Sequence, residues 1–316
     1  MIDLPRDAVY LIDGHSYIYR AQFALTELTT PRGEPCQAVL GFGNVLVRLI
    51  REKGPRAIAV TLDSEDKRSF RRELDPSYKQ NRTAAPPELL RQFGWCAELV
   101  SALGIPVFVE PGFEADDLLA TLARRLTDKG CPVVICSSDK DLGQLVRDDV
   151  LLYDLAKDTI ADAQAVEDRW GVSPAQLPDL FALIGDAIDN IPSVPCCGPK
   201  TAAALIKQFG SLERIPDDAR ELTGVVRGAG NVAQSLRENR ARALLSRELA
   251  RTRDDVAMTA LADGDLSYRG PREPELRAIC QHLGLVAFLE RALRMLKPKD
   301  KKRTEPPRGK QGLLFG

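Results

Sequence analysis

Histidine is nearly absent from this chain: His15 and His282 are the only two among 316 residues. That scarcity excludes an imidazole-based metal site and an obvious histidine-dependent triad. Seven cysteines are present, but no two are spaced Cys-x-x-Cys and none has histidine partners at zinc spacing. Cys196 and Cys197 are adjacent and do not suit pairing with each other, so a reduced, cytoplasmic setting is expected. No apolar run is long enough to span a bilayer, and Met1-Ile2-Asp3-Leu4-Pro5 has no signal-peptide build. Membrane attachment is therefore not expected. A Walker A loop and a dinucleotide-binding glycine motif are both missing, which argues against a nucleotide-driven machine.

Carboxylates are what the chain has in quantity and in pattern. Phe113-Glu114-Ala115-Asp116-Asp117 is followed, about one helix and one strand later, by Ser138-Asp139-Lys140-Asp141. Like charges gathered this way repel, and burying them adds a desolvation cost. A divalent cation removes both costs, and hard oxygen ligands suit Mg²⁺ or Mn²⁺. A plainer reading is an acidic helix N-terminus, which is common and mildly stabilising. Charge is also unevenly spread. Lys297 to Lys310 carries seven basic and two acidic residues, a net +5 that leaves the body near −6 against a total of −1. Within that acidic body, Lys67-Arg68-Ser69-Phe70-Arg71-Arg72 and Tyr78-Lys79-Gln80-Asn81-Arg82 form a local basic segment. An acidic site with a basic approach fits a metal-dependent enzyme acting on phosphates.

Residues 8–12, 57–62, 105–109 and 132–136 are short apolar runs that read as buried strands. Helical spacing covers 17–28, 38–53, 88–103 and 113–129, with Ser16 as a candidate cap for the first. Residues 64–86, charged and closed by Pro86-Pro87, read as a loop or arch. This alternation predicts an α/β fold, a doubly wound and mostly parallel sheet covered on both faces, with its crevice beyond the carboxyl ends of the strands. Asp13, Asp63, Glu114, Asp116, Asp117, Asp139 and Asp141 all follow predicted strand ends, four different ones. Chance helix capping does not easily produce that convergence. After about residue 155 strand signals fade and the chain reads as helical. Ser173-Pro174 starts a helix that leads into Gly185-Asp186-Ala187-Ile188-Asp189-Asn190, where Asp186 and Asp189 share a helical face. A Pro/Gly/Cys-rich turn follows. The helix–turn–helix unit with its Gly198-Pro199-Lys200-Thr201 entry can present backbone amides to a DNA phosphate. Nine carboxylates with lysines and arginines nearby point to two-metal phosphodiester hydrolysis.

The order of these blocks resembles a known family. Leu11-Ile12-Asp13-Gly14, Val60-Thr61-Leu62-Asp63, Tyr78-Lys79-Gln80-Asn81-Arg82, Gly112 to Asp117, Ser138 to Leu142 and Gly185 to Pro192 occur as in the 5′-3′ exonuclease domain of bacterial DNA polymerase I, the bacterial branch of the flap endonucleases. The resemblance spans roughly residues 8–255. It implies a PIN-like catalytic α/β domain (1–172) with a helical, H3TH-type helix-hairpin-helix DNA-binding region (173–296). The implied activity is structure-specific 5′-nuclease action, removing 5′ flaps and RNA primers during Okazaki-fragment processing and repair.

By position, the resemblance implies that Asp13, Asp63, Glu114 and Asp116 hold the first of two Mg²⁺ (or Mn²⁺) ions. Asp117, Asp139, Asp141, Asp186 and Asp189 would surround the second. Lys79 and Arg82 match the basic pair that steers the scissile phosphate. Tyr78 would stack on a base near the cut, and Arg20 and Arg71 would contact phosphates. Where the family's turn usually reads Gly-Val-Pro-Gly-Ile-Gly, this chain has Ser193-Val194-Pro195-Cys196-Cys197-Gly198, which puts K⁺ binding at that turn in doubt. The chain ends at Gly316 with no polymerase or proofreading domain behind it, so a stand-alone, monomeric nuclease is expected.

The tail, 297–316, has a Lys/Arg/Pro-rich composition that predicts disorder, yet it finishes in an apolar tip. There Gln311, Leu314 and Phe315 resemble the Gln-x-x-Leu-Phe peptides with which bacterial replication proteins dock on the sliding clamp. A different class of function is a non-catalytic branched-DNA-binding protein recruited through this tail, but a relic should have lost some acidic ligands. An RNA-directed PIN-type nuclease is a third reading. It needs neither the Gly185–Thr201 block nor the Tyr78–Arg82 segment.

Overall fold

Val9–Asp13 forms β1, in which every residue is buried. Side chains alternate across a strand, so Tyr10 and Ile12 enter the core on one face of the sheet and Val9 and Leu11 the core on the other. A strand covered on both faces has no place for a polar residue until it ends, here at Asp13. The structure, a computed structural model, describes residues 4–5, 7–64, 69–258 and 266–296. Ala57–Thr61 (β2), Val107–Phe108 (β3), Val133–Cys136 (β4), Val150–Asp154 (β5) and Thr159–Ala161 (β6) join β1 in a sheet of order β3-β2-β1-β4-β5-β6. β1 to β5 are parallel, and β6 runs antiparallel to β5. Because β1 pairs with both β2 and β4, the winding reverses between β1 and β4, which opens a crevice at their carboxyl ends.

Gly14–Ala24 (α1) and Gln37–Lys53 (α2) cover one face, Phe70–Leu74 (α3) follows β2, and Pro87–Ala102 (α4) completes the first layer. Ala115–Thr127 (α5) covers the other face through Leu118, Leu119, Leu122 and Leu126. Past β6, Ala163–Trp170 (α6), Leu177–Ile184 (α7), Pro199–Phe209 (α8), Ala219–Leu222 (α9) and Ala229–Ala250 (α10) gather around a second core that includes Leu177, Phe181, Leu205 and Leu236. The expected doubly wound α/β architecture with a helical extension is the one observed. Among the described residues, no helix is long and apolar enough to cross a membrane.

Several sequence expectations change. Residues 173–296 do not form one helical region. Glu273–Leu283 (α11) packs on α4 and Val286–Leu296 (α12) on α2. Their apolar stripes, with Leu276, Leu283, Phe288 and Leu289, complete the core of the α/β body. β5 and β6 are strands that the charged residues around them concealed. The cap of α1 is Asp13, whose Oδ1 accepts from Ser16 N at 3.0 Å, so the helix begins at Gly14 rather than after Ser16. A Cβ at Gly14 would lie 2.6 Å from Leu62 and 2.8 Å from Val60, so this tight entry requires glycine. Residues 69–86 include α3 and a series of turns. The tail residues Gln311, Leu314 and Phe315 lie outside the described residues, as do Lys67 and Arg68.

The hairpin between α7 and α8 absorbs its missing glycines unequally. Cys196 sits at φ 63°, in left-handed territory, while Ser193 and Cys197 do not. A Cβ in that conformation costs roughly 1 kcal/mol, so Cys196→Gly should raise unfolding stability by up to about that amount. A lower urea midpoint for the variant would refute this account of the turn.

Candidate active site

The crevice at the switch point is a cavity of about 440 Å³. Seven of the nine predicted carboxylates line it: Asp13, Asp63, Glu114, Asp116, Asp139, Asp141 and Asp189, together with His15, Tyr19, Lys79 and Arg82. Local structure delivers each one. Asp13 closes β1 and caps α1. Asp63 follows β2, and its Oδ1 accepts from Ala115 N at 2.7 Å, which ties the end of β2 to the start of α5. Ser137, buried just past β4, donates to Asp13 Oδ2 at 2.6 Å and accepts from Asp139 N at 3.0 Å. Asp139 Oδ1 in turn accepts from Asp141 N at 2.9 Å, so the Ser-Asp-Lys-Asp loop is folded by its own side chains.

Crowding shows in the protonation of these groups. Burial pushes the Asp13 carboxyl up to about 7 against the hydrogen bonds from Ser137 and Ser16, and Asp139 and Asp63 add to the rise. Asp141 is also pushed up to about 7, by burial and then by Asp139. Asp116 is held well above the usual carboxylate range by burial, then by Asp139 and Asp13. Glu114 goes the other way. Burial opposes its charge, but Lys79 and Arg71 outweigh that and bring it down to about 2.

Cations of the chain itself sit at the edge of the cavity. Lys79 Nζ donates to Glu114 Oε2 at 2.8 Å and lies 3.7 Å from Asp189. Arg82 pairs with the other Asp189 oxygen. The backbone places Lys79 by an uncommon turn, φ 54°, with its N–H donating to Asp189 O at 2.9 Å. Strain of this kind persists only where surrounding contacts impose it. Asn81 and Asn190 supply such contacts, donating to Ala187 O at 2.6 Å and Ser77 O at 2.7 Å. The Tyr78–Arg82 segment is thus bolted to the Gly185–Asn190 loop, two blocks that are far apart in sequence.

Three assignments implied by the resemblance do not hold, and two further residues lie off the cavity. Asp117 is fully buried and saturated, accepting from Arg71 at 2.8 and 2.7 Å, from Arg253 N at 2.8 Å and from Glu114 N at 3.1 Å. It caps α5 and anchors an arginine; it is not placed to hold an ion. Arg71, the arginine it anchors, is 2% exposed and cannot reach a phosphate. Tyr78 is also buried, and its hydroxyl donates to Glu114 and Asp189 at 3.2 Å, so its ring offers no face to a base. Arg20 lies off the cavity, 3.7 Å from Asp154. Asp186 does not line the cavity either. It is buried, with Lys140 Nζ at 2.9 Å and Ile188 N at 2.8 Å from its two oxygens. Gly198 caps α8, with Lys200 exposed and Thr201 half-exposed in its first turn, a surface position suited to a phosphate. Ser137 and His15 are site residues that sequence reasoning missed. The only available sign was the position of each beside an aspartate.

The donor set suits a hard divalent cation. The acidic groups gathered there are all carboxylates, and Asp141 Oδ1 is buried without a hydrogen-bond partner. Among the described residues, however, no three such side chains stand close enough to enclose an ion as they are placed. Two lysines, Lys79 and Lys140, take positions among them instead. A pH effect follows. Asp13 and Asp141 have folded-state pKa values raised from 3.8 to about 7, so their contribution is fully present below the unfolded value and is lost as pH rises through 7. EDTA-treated protein should therefore melt lower at pH 8.5 than at pH 6, and Mg²⁺ should recover more at pH 8.5. Equal Mg²⁺ shifts at both pH values would disprove the coupling.

Comparison with known proteins identifies the family. The family model described as 5′-3′ exonuclease, N-terminal resolvase-like domain matches residues 8–171, and that described as 5′-3′ exonuclease, C-terminal SAM fold matches 172–273. The chain belongs to the 5′-3′ exonuclease family. Within that family, it is 40% identical over 207 residues to the 5′-3′ exonuclease of Aquifex aeolicus, covering 66% of this chain and 71% of that one. With the 5′-3′ exonuclease of Buchnera aphidicola it shares 34% over 258 residues, 81% of this chain and 90% of that one. DNA polymerase I of Rhizobium leguminosarum is 41% identical over 260 residues, 80% of this chain but only 25% of the polymerase, so the exonuclease-family chain spans about a quarter of that relative. In fold it is similar to the T5 5′-exonuclease solved with bound zinc, with TM-score 0.63 at 21% identity over 91% of this chain and 99% of that one. The catalytic core of Rad2 in complex with DNA gives 0.60 at 18% identity, covering 92% of each. These structures show the same α/β body with a helical region.

Proposed function

We propose that this 5′-3′ exonuclease-family chain is a structure-specific 5′-nuclease acting on duplex DNA with a 5′ flap or nick and on RNA–DNA primer junctions. The observation that supports it most is the convergence on one crevice, edged by Lys79 and Arg82, of six carboxylates from four strand ends and a seventh, Asp189, from the loop after α7. Asp13, Asp63, Glu114 and Asp116 would hold one divalent ion. Asp139, Asp141 and Asp189, with Asp186 behind them, would hold a second, Mg²⁺ with Mn²⁺ as substitute. When bound, such ions supply a nucleophilic water at neutral pH and stabilise the leaving oxygen. The chain's own groups do the rest. Lys79 and Arg82 bring positive charge to the approach for the scissile phosphate, and Ser137 fixes Asp13 and Asp139 relative to each other. In this reading 1–172 together with the loop after α7 carries the chemistry, the α8 entry at Gly198, Lys200 and Thr201 takes the duplex backbone, and the protein works as a cytoplasmic monomer in replication and repair. Gln311, Leu314 and Phe315 would tether it to the sliding clamp; unchanged clamp affinity after deletion of 311–316 would remove that part.

The test is cleavage of a 5′-end-labelled flap duplex with and without Mg²⁺. Products cut near the junction, abolished by EDTA, are expected. Tight binding with no cleavage in Mg²⁺ or Mn²⁺ would mean a branched-DNA-binding protein instead.

A further inference from the structure

We infer that Lys140 is a resident cation of the second ion's locus, holding Asp141 and Asp186 in the metal-free protein and giving way when a divalent ion binds. The inference rests on the two-ion reading above. Asp141 belongs to the loop after β4, and Asp186 to the loop after α7. Between these two layers stands the Lys140 ammonium, 2.9 Å from Asp186 Oδ2 and 4.0 Å from Asp141 Oδ1. The hydrogen bond from Lys140 brings the Asp186 carboxyl below its usual range despite burial. Asp141 fares differently. Its Oδ1 is buried with no hydrogen-bond partner, because 4.0 Å is too far for the ammonium to donate. One ammonium thus serves one of two carboxylates that a double charge would serve together.

An ammonium and a divalent ion cannot share that place. At a few ångströms a divalent ion repels the ammonium about as strongly as two carboxylates attract it, so the ammonium gains nothing by staying. Lys140 has somewhere to go. Its side chain is 34% exposed, its stem is long and flexible, and it borders an adjoining cleft of about 120 Å³ lined by Ser138, Asp139, Lys157 and Arg169. Lys79 pairs with Glu114, but its side chain is only 15% exposed and its turn is pinned by Asp189. Of these two lysines, Lys140 is therefore the one that can be exchanged. Its effect is to keep the acidic site folded without metal while weakening the second ion's binding.

Titration of EDTA-stripped full-length protein with Mn²⁺ alone, following free Mn²⁺ by electron paramagnetic resonance, tests this without reference to activity. Wild type should bind two ions of unequal affinity. In Lys140→Met the weaker class should tighten by about tenfold while the stronger is unchanged. Lys140→Arg should stay near wild type, and Lys140→Gln provides a second neutral variant should Met fold poorly. The melting temperature in EDTA should fall in both neutral variants and recover with Mn²⁺. An unchanged or weaker second class in a folded neutral variant overturns the inference alone. Wild type that binds fewer than two ions overturns the two-ion reading, and the inference with it.

Discussion

Protein carrying Asp139→Ala is expected to cut a 5′-end-labelled flap duplex about a thousandfold more slowly than wild type in Mg²⁺, because a bound ion contributes several kcal/mol of charge stabilisation. The same protein should be no less stable, and in EDTA more stable. Asp139 is a charge that raises Asp13, Asp116 and Asp141 alike, so deleting it relieves three crowded neighbours. Against that stands the loss of one hydrogen bond, from Asp141 N to Asp139 Oδ1 at 2.9 Å, ordinarily worth about 1 kcal/mol. An inactive, fully folded variant with a raised melting temperature in EDTA is the signature of a site whose charge is kept for chemistry at the expense of stability. Cleavage that survives the substitution would end the two-metal assignment. Activity and stability lost together would make Asp139 a structural residue.

Much of this was legible in the chain, for identifiable reasons. A strand buried on both faces leaves a continuous apolar run, and Val9 to Ile12 or Val133 to Cys136 cannot easily be read otherwise. Acidic residues directly after such runs tend to lie at the crevice of a parallel sheet, which is why six of the nine carboxylates were placed at strand ends from sequence and line it; Asp189 joins them from the loop after α7. What was not legible depends on pairing over long separations. Asp117 and Asp116 are neighbours on one helix turn, and nothing local says that one faces the cavity while the other faces Arg71, 46 residues away. Tyr78 sits in a basic, loop-like stretch that suggests exposure, yet Ile191 and Leu249 close over it. The return of α11 and α12 to the α/β body is likewise invisible, because an amphipathic stripe shows that a face is buried and not against what.

Arg71→Met should be the most destabilising single change available outside the hydrophobic cores. The guanidinium donates to Leu249 O at 2.9 Å, Arg251 O at 2.9 Å, Asp117 at 2.7 and 2.8 Å, and weakly to Glu114 at 3.5 Å. These contacts join α3, the start of α5 and the end of α10, so three segments distant in sequence depend on one side chain. Burial opposes the arginine's charge, but the hydrogen bonds and charge of Asp117 outweigh it and hold its pKa above the usual value. Removing one partner of such a pair leaves a buried charge uncompensated, at about 3–5 kcal/mol. In a chain of this size that lowers the melting temperature by about 5–8 °C. Asp117→Leu combined with Arg71→Met removes both charges and should recover much of the loss, since replacing a buried pair by apolar groups is often close to neutral. Asp117→Asn separates the structural role from a ligand role. If Asp117 serves Arg71, the folded variant binds Mn²⁺ as wild type does and melts lower. If it held an ion, Mn²⁺ affinity would fall with the melting temperature in EDTA unchanged. The geometry favours the first result, because every oxygen of Asp117 is already occupied by an N–H of this chain.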